Sequence, residues 1–212
     1  GALTGAVSGH RLPRWRFGEP HDVPRRAVER GAVLAIPTES SYGLAVDPRN
    51  HRAVEAVYRL KERDAGKPLP VVIAAAADTA LLGVDPRCPE LARAAACWPA
   101  PLTVVLPLAA AAPELPAAAG GRTVAVRVPA HEELRNLLAA VGPLTATSAN
   151  PSGGAPIVDP AQLAALGDGS GVELLLVDGG VLPGGPPSTL VAFAADGAVE
   201  VLRAGPFDAG RL

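Results

Sequence analysis

NHRAVEAVYRLKERDAGKPLPVVIA, residues 50 to 74, reads as a helix running into a strand. Ala53, Val54, Val57 and Leu60 recur at the spacing of one helical face. Asn50 stands where an N-cap belongs, and Glu55 can pair with Arg59 one turn on. LPVVIA, from Leu69, is an apolar strand. Between them lies KERDAGK, residues 61 to 67, with the only two lysines of the chain; the other seventeen Lys-plus-Arg positions are all arginine. Lys61 and Arg63 therefore sit at the C-terminal end of a helix. A compact ammonium beside a planar guanidinium is a pairing that suits a polyphosphate, although two lysines on a solvated surface are also what chance supplies.

The same alternation continues outward. Val23 to Arg30 reads as a short helix ended by Gly31, and AVLAIPT (32–38) as a buried strand that Pro37 interrupts. CPELARAAACW (88–98) is a helix and PLTVVLPL (101–108) a strand bounded by prolines. The low-complexity stretch 109–121 is a loop. TVAVRV (123–128) is a strand, HEELRNLLAAVG (131–142) a helix and PLTAT (143–147) a strand. DPAQLAALG (159–167) is a short helix and VELLLVD (172–178) a buried strand. STLVAF and AVEVLR close the chain as a pair around the turn ADG. Strands alternating with helices give a mixed α/β sheet with an antiparallel pair near the C-terminus. The expected organisation is a loose Gly/Pro/Arg-rich segment over 1–20, one folded unit over 21–207 and a short tail over 208–212.

Composition narrows the function. With 212 residues and 49% hydrophobic content the chain can bury one sizeable core, but aromatics are 3%, so Ala, Val and Leu must build it. A net charge of −2 announces no global field for nucleic acid or membrane. Cys88 and Cys97 are no disulfide framework and point to a reducing, cytoplasmic setting. No apolar run approaches the roughly 20 residues needed to span a bilayer. The four histidines are scattered without metal-ligand spacing, so no resident metal is expected.

Several strand ends carry small polar residues. IPTESSYGL offers the hydroxyls of Thr38, Ser40, Ser41 and Tyr42, with Glu39 able to accept from an amine. PLTATSANPSGGAP runs from a strand into Ser148, Asn150 and glycines; such a loop can cradle an anion, though its composition is also that of an ordinary turn. DGGVLPGGPPST ends in Ser188 and Thr189 but is no P-loop, because no Lys precedes the Ser. In TVAVRV, alternation puts Thr123, Ala125 and Arg127 on one face and three valines on the other. Arg127 needs a partner there, which is either an internal ion pair or a ligand carboxylate or phosphate. In open α/β sheets ligands bind outside strand ends. The pattern describes a small molecule bearing phosphate and carboxylate groups, and names none.

IPTESSYGL, LKERDAGKPLPVVIA, WPAPLTVVLP, TVAVRVPAHEELRNLL, TATSANPSGG and LRAGPF stand in the order of the YrdC-like threonylcarbamoyl-AMP synthase family, which the chain resembles from about Val23 to Phe207. The resemblance implies a twisted open mixed sheet with flanking helices around a basic concave cavity. It also implies the reaction of L-threonine, bicarbonate or CO2, and ATP to threonylcarbamoyl-AMP and pyrophosphate, with Mg²⁺ accompanying the ATP. Downstream proteins would transfer the product to tRNA, and weak tRNA binding is a further expectation. By motif, Lys61, Arg63, Ser148, Asn150 and Arg203, with Thr123 nearby, are the ATP-side residues; Thr38, Arg127 and Ser188 are the threonine-side residues. Lys61 and Arg63 carry the catalytic assignment, with Lys67 nearer the rim. The chain departs from the family pattern at Ala100, where Gly is usual, at Pro187, where many members have Glu, and at Val72, where some have His. The competing readings are an RNA-binding module, which the few aromatics disfavour, and a carbamoyl-adenylate enzyme with another acceptor.

Overall fold

The structure, a computed structural model, describes residues 11–212. In chain order its elements are β1 (Arg14–Arg16), α1 (Asp22–Glu29), β2 (Val33–Pro37), β3 (Tyr42–Ala45), α2 (His51–Lys61), β4 (Val71–Val72), α3 (Pro89–Cys97) and β5 (Leu102–Pro107). Then follow β6 (Thr123–Arg127), α4 (Glu132–Val141), β7 (Leu144–Thr145), β8 (Thr147–Ser148), β9 (Leu174–Asp178), β10 (Thr189–Phe193) and β11 (Val199–Arg203). The mixed α/β architecture is the expected one, with the strands divided between two mixed sheets. One sheet has the order β1-β9-β2-β3-β8 and the other β11-β10-β5-β6-β4-β7. The closing β10–β11 pair is antiparallel, as the ADG turn predicts.

β2 is buried along its whole length, and its alternation explains how the layers stack. Val33 and Ala35 join a core with Val57, Ile73, Val104 and Val126, so one face of the first sheet packs toward α2 and the second sheet. Leu34 and Ile36 join Ala27, Leu134, Leu137 and Val177 beneath α1 and α4. The two sheets meet where the chain crosses from β7 to β8. Gly43 in β3 faces that crossing, and a side chain there would bring a Cβ within 3.3 Å of the Thr147 carbonyl.

Asn50 caps α2 as its position predicts, accepting from the Ala53 N–H at 3.1 Å. Glu55, however, lies 3.3 Å from His51 Nε2, on the turn before it, and not with Arg59. Pro37 ends β2 without interrupting it, because its partner Tyr42 lies across a hairpin that asks for no N–H from residue 37. The hairpin's second arm, β3, was hidden in the sequence by the polar cluster in front of it. The strand in LPVVIA contracts to Val71–Val72, PLTAT splits between the two sheets, and DPAQLAALG keeps only a 3₁₀ turn over Pro160–Leu163. The 109–121 loop is packed: Leu115, Ala117 and Ala118 are buried, and the Ala117 carbonyl accepts from the Leu69 N–H at 2.9 Å.

The N-terminal segment is more ordered than expected from residue 11 on. Of the segment expected to be loose, residues 1–10 lie outside the described residues, while Arg14–Arg16 pairs in parallel with β9. Trp15 is 1% exposed, and its indole N–H donates to the Pro20 carbonyl at 2.9 Å. Arg14 and Arg16 both reach Asp178, at 3.3 and 3.6 Å. At the other end, the expected tail forms a turn over Ala209–Arg211, and Arg93 donates to the Leu212 carbonyl at 2.9 Å. One buried aromatic weighs heavily in a core so poor in them. Trp15→Ala should therefore cost about 3–5 kcal/mol of stability. A chemical denaturation midpoint unchanged from wild type would mean that this strand contributes no core.

Candidate active site

The two lysines of KERDAGK behave differently. α2 ends at Lys61, and Glu62 takes a left-handed conformation (φ 52°) that turns the chain. Past that turn the Arg63 charge stays close enough to be felt at Lys61. The Lys61 side chain points inward, and the residue is 2% exposed. Its ammonium donates to the Ser148 carbonyl, to Ser148 Oγ at 3.2 Å and to the Asn150 carbonyl at 3.0 Å. Three N–H donors thus meet three oxygens of one loop. Arg63 donates from Nη2 to the Pro68 carbonyl at 3.2 Å, and its buried Nε has no protein partner. Lys67 is exposed, with its carbonyl taken by the Tyr58 hydroxyl.

The loop after β8 is shaped from both sides. The Ala149 N–H donates to the Tyr42 carbonyl at 2.9 Å and the Ser152 N–H to the Lys61 carbonyl at 3.2 Å. The Asn150 amide donates to the Pro151 and Gly154 carbonyls at 2.9 and 2.8 Å, closing the turn. Its Oδ1 is buried and has no protein donor. Asn150 therefore shapes the loop with one end of its amide and leaves an acceptor free at the other.

A second group forms at the ends of β6 and β11. Arg203 donates to the Ser188 carbonyl from Nε (3.0 Å) and Nη2 (2.8 Å), and to Ser188 Oγ at 3.1 Å. Ser188 Oγ also lies 2.7 Å from Thr103 Oγ1. Gly205 makes this possible: a Cβ there would sit 2.4 Å from the Thr189 nitrogen and 2.6 Å from the Pro187 carbonyl. Arg127 reaches Glu39 with Nη1 at 2.6 Å. Alternation on β6 is as the sequence predicts, with Val124 and Val126 buried and Thr123 exposed. Thr123 opens that strand and Arg127 closes it, roughly 13 Å on at strand rise, and among the described residues no hydrogen bond joins Thr123 to either group. Thr38 accepts from the Ser40 and Ser41 N–H groups at 3.3 Å and donates to the Ser41 carbonyl at 2.6 Å, fixing the β2–β3 loop. The Tyr42 hydroxyl donates to the Gly180 carbonyl at 2.7 Å and accepts from the Gly179 N–H at 3.1 Å. It ties the Gly-rich loop before Ser188 to the same hairpin.

Arg203, expected with the nucleotide residues, is thus bonded to Ser188, expected with the threonine residues. Thr103 and Gly205 were not among the residues read from sequence, while Glu39 and Tyr42 were read as an acceptor and a donor of the strand-end loop but without these partners. For Glu39 the signal was double: an arginine between valines needs an acid or an anionic ligand, and Glu39 is a carboxylate in a polar strand-end loop. Of the family departures, Val72 is buried beside Arg127 in the β4–β6 register, Ala100 is buried with its N–H on the Val128 carbonyl at 3.1 Å, and Pro187 is exposed.

Electrostatics follow from burial. Desolvation, and then the Arg63 charge, push the Lys61 ammonium down from 10.5 to about 8. Burial, and then the nearby Arg127 charge, lower Arg203, so the two guanidiniums share a neighbourhood. Burial alone would raise the Glu39 carboxyl, but the Arg127 charge and the hydrogen bonds it accepts hold it below the usual carboxylate range. Among the described residues no cluster of three His, Cys, Asp or Glu side chains offers a metal cage, and no helix is long and apolar enough to cross a membrane.

A family model named Sua5_yciO_yrdC, described as Telomere recombination, matches residues 26–205. The chain belongs to this family. A threonylcarbamoyl-AMP synthase of Thiobacillus denitrificans is 41% identical over 180 residues, covering 84% of this chain and 91% of that protein. One from Chromohalobacter salexigens is 38% identical, covering 77% and 87%. P. abyssi Sua5, solved in complex with L-threonine, superposes with a TM-score of 0.75 at 31% identity, over 92% of this chain and 57% of its own. This chain thus spans less than two thirds of that protein. E. coli YciO matches in fold, with a TM-score of 0.76 at 22% identity over 95% and 98%.

The Lys61 geometry carries a titration with a defined sign. The folded chain loses this proton near pH 8, and the unfolded chain holds it to about 10.5. Between those values the unfolded state binds more protons, so this group's contribution to stability rises with pH. With only two lysines, side-chain NMR can read Lys61 directly, and its midpoint should lie near 8. A midpoint at the ordinary value would show the ammonium to be solvated. Lys61→Ala should lower stability by about 1–3 kcal/mol, because it strands buried carbonyls.

Proposed function

We propose that this chain is an L-threonylcarbamoyl-AMP synthase, a nucleotidyltransferase that joins L-threonine, bicarbonate or CO2, and ATP and releases pyrophosphate. The observation that carries the reading is the pair of cationic groups, Lys61 with Arg63 and Arg127 with Arg203, the first bonded to the loop after β8 and the second tied through Glu39 to the loop after β2. Family membership and the names of relatives such as the Thiobacillus protein support it.

The chemistry follows from what each group can hold. Threonine's amine, once carboxylated, presents a carbamate oxygen to the α-phosphorus of ATP. Attack forms the new P–O bond as the bond to pyrophosphate breaks. The protein's task is to bring two anions together and offset their charge. Arg127, with Thr38 and Ser188, would hold the amino acid, the guanidinium on its carboxylate. Arg63, Ser148 and the free Asn150 Oδ1 would face the nucleotide, with Thr123 farther along the β6 face. Arg203, bonded to Ser188 and close to Arg127, would stand between the two halves. Lys61 would act on the phosphates partly through the loop it organises, and its positive charge would add to the field there. Mg²⁺ would enter as MgATP, carried by phosphate oxygens and water. The adenylate would pass to downstream proteins that modify tRNA, in the cytoplasm. Weak tRNA binding of its own and the basic concave cavity belong to the same proposal.

Incubation with MgATP, bicarbonate and each amino acid in turn, followed by mass spectrometry, should yield threonylcarbamoyl-AMP with threonine. Absence of any adenylate would sink the reading. Arg127→Ala should raise the threonine KM by about tenfold or more, in line with a charged hydrogen bond worth roughly 1.5–3 kcal/mol. Arg127→Lys should restore little, because an ammonium cannot reproduce the planar fork. Unchanged threonine dependence in both variants would remove Arg127 from the amino-acid site.

A further inference from the structure

Glu39 and Arg127 belong to different sheets. Glu39 lies in the loop after β2 of the first sheet, and Arg127 ends β6 of the second. Both oxygens of the Glu39 carboxylate are committed. Oε2 takes Arg127 Nη1 at 2.6 Å, and Oε1 takes the Ala130 N–H at 2.9 Å, ahead of α4. The acid is therefore fixed against the second sheet at two points. The Arg127 side chain is 11% exposed, so its guanidinium has little room to swing.

The ion pair uses one nitrogen of the guanidinium. Among the described residues, Nε and Nη2 of Arg127 make no hydrogen bond, and neither is a sealed, unsatisfied buried atom. The Nε–Nη2 edge is the one that takes a carboxylate with two parallel bonds. Glu39 thus leaves the bidentate edge open and sets the plane in which it lies. It also adds a negative charge beside two guanidiniums, Arg127 and the neighbouring Arg203, that would otherwise form an unneutralised pair. An amino acid brings one carboxylate charge to that edge. A phosphate dianion or pyrophosphate brings more charge and more oxygens, and meets Glu39 at close range, where like charges repel.

We propose that Glu39 is a positioning and selectivity residue: clamped by Arg127 and the Ala130 N–H, it orients the free edge of Arg127 toward a single carboxylate and keeps phosphate from that position. The carboxylate's identity as that of threonine rests on the function proposed above; the exclusion of phosphate does not.

The test uses the full chain and two ligands. L-threonine and inorganic phosphate are titrated separately, and in competition, into wild type, Glu39→Gln and Glu39→Gln/Arg127→Ala by calorimetry, with melting temperatures recorded alongside. Wild type should bind threonine without competition from phosphate. Glu39→Gln should bind threonine about tenfold or more weakly. It should also gain phosphate binding that competes with threonine and disappears in the double variant. A purely structural role would lower the melting temperature without creating Arg127-dependent phosphate binding, and that result overturns the proposal. Tighter threonine binding in Glu39→Gln also overturns it, because Glu39 would then be a competitor for Arg127. If wild type binds no threonine, the amino-acid assignment fails. The phosphate arm still decides Glu39: a gain that depends on Arg127 supports it, and no gain refutes it.

Discussion

The crossing from β7 to β8 is the constraint on which the molecule depends. Within residues 144–148 the chain leaves one sheet and enters the other. Buried backbone groups at such a crossing must find partners off the regular ladders. Thr145, fully buried, supplies them: its hydroxyl accepts from the Val46 N–H at 3.1 Å and donates to the Leu44 carbonyl at 3.2 Å, while its own N–H takes the Val46 carbonyl at 2.8 Å. A valine of the same shape would leave two buried groups without their side-chain partner. The same crossing delivers Ser148 and Asn150 to Lys61 and brings β8 against Gly43. Lys61 and the loop it holds are thus set at the seam, and Glu39–Arg127 is a second tie between the sheets.

The basic side chains of the candidate site are each compensated, but in different ways. Four basic side chains fall in two groups, and burial first, then the neighbouring guanidinium, lowers Lys61 and Arg203. Each group has its own relief. Lys61 is surrounded by neutral oxygens, which satisfy its donors without cancelling its charge. Arg127 is paired with a carboxylate, which cancels much of its charge. The first arrangement preserves field for a multiply charged partner and the second leaves room for a singly charged one. That asymmetry is a property of the fold, and it matches a reaction in which a polyphosphate and an amino acid must occupy adjacent places.

The long periodic elements were legible because their own side chains define them: α2 with its Asn50 cap, β6 with alternating valines, and the β10–β11 pair around ADG. β3 was not legible, because its four residues follow a polar cluster and owe their extended form to pairing with β2 and β8. β1 was missed for a related reason. Arg-Trp-Arg carries no period, and it becomes a strand through β9 and the burial of one indole. At the site, residue types were legible and partnerships were not. That Lys61 would spend its three protons on Ser148 and Asn150, nearly ninety positions away, depends on the crossing, which no local pattern reports. Glu39 was half legible, since burial of Arg127 demanded an acid but did not say which.

The distribution of lysine and arginine in this chain is explained at one of its two exceptions. Where a basic residue needs only positive charge on a surface, arginine serves, and this sequence uses it almost everywhere. At position 61 the surroundings are three oxygens of one loop gathered around a single nitrogen. A guanidinium spreads its five donors over a plane and directs them outward in pairs, so it cannot converge on three acceptors that close around one point. An ammonium directs three donors from one atom and rotates to meet them. Two residues on, past the left-handed turn at Glu62, Arg63 presents its planar fork to the Pro68 carbonyl at 3.2 Å. The neighbouring positions thus divide the work by geometry: the point charge holds the loop after β8 from inside, and the fork ties down the segment that follows the turn. Lysine suits position 61 because the loop it organises has the shape of an ammonium's coordination.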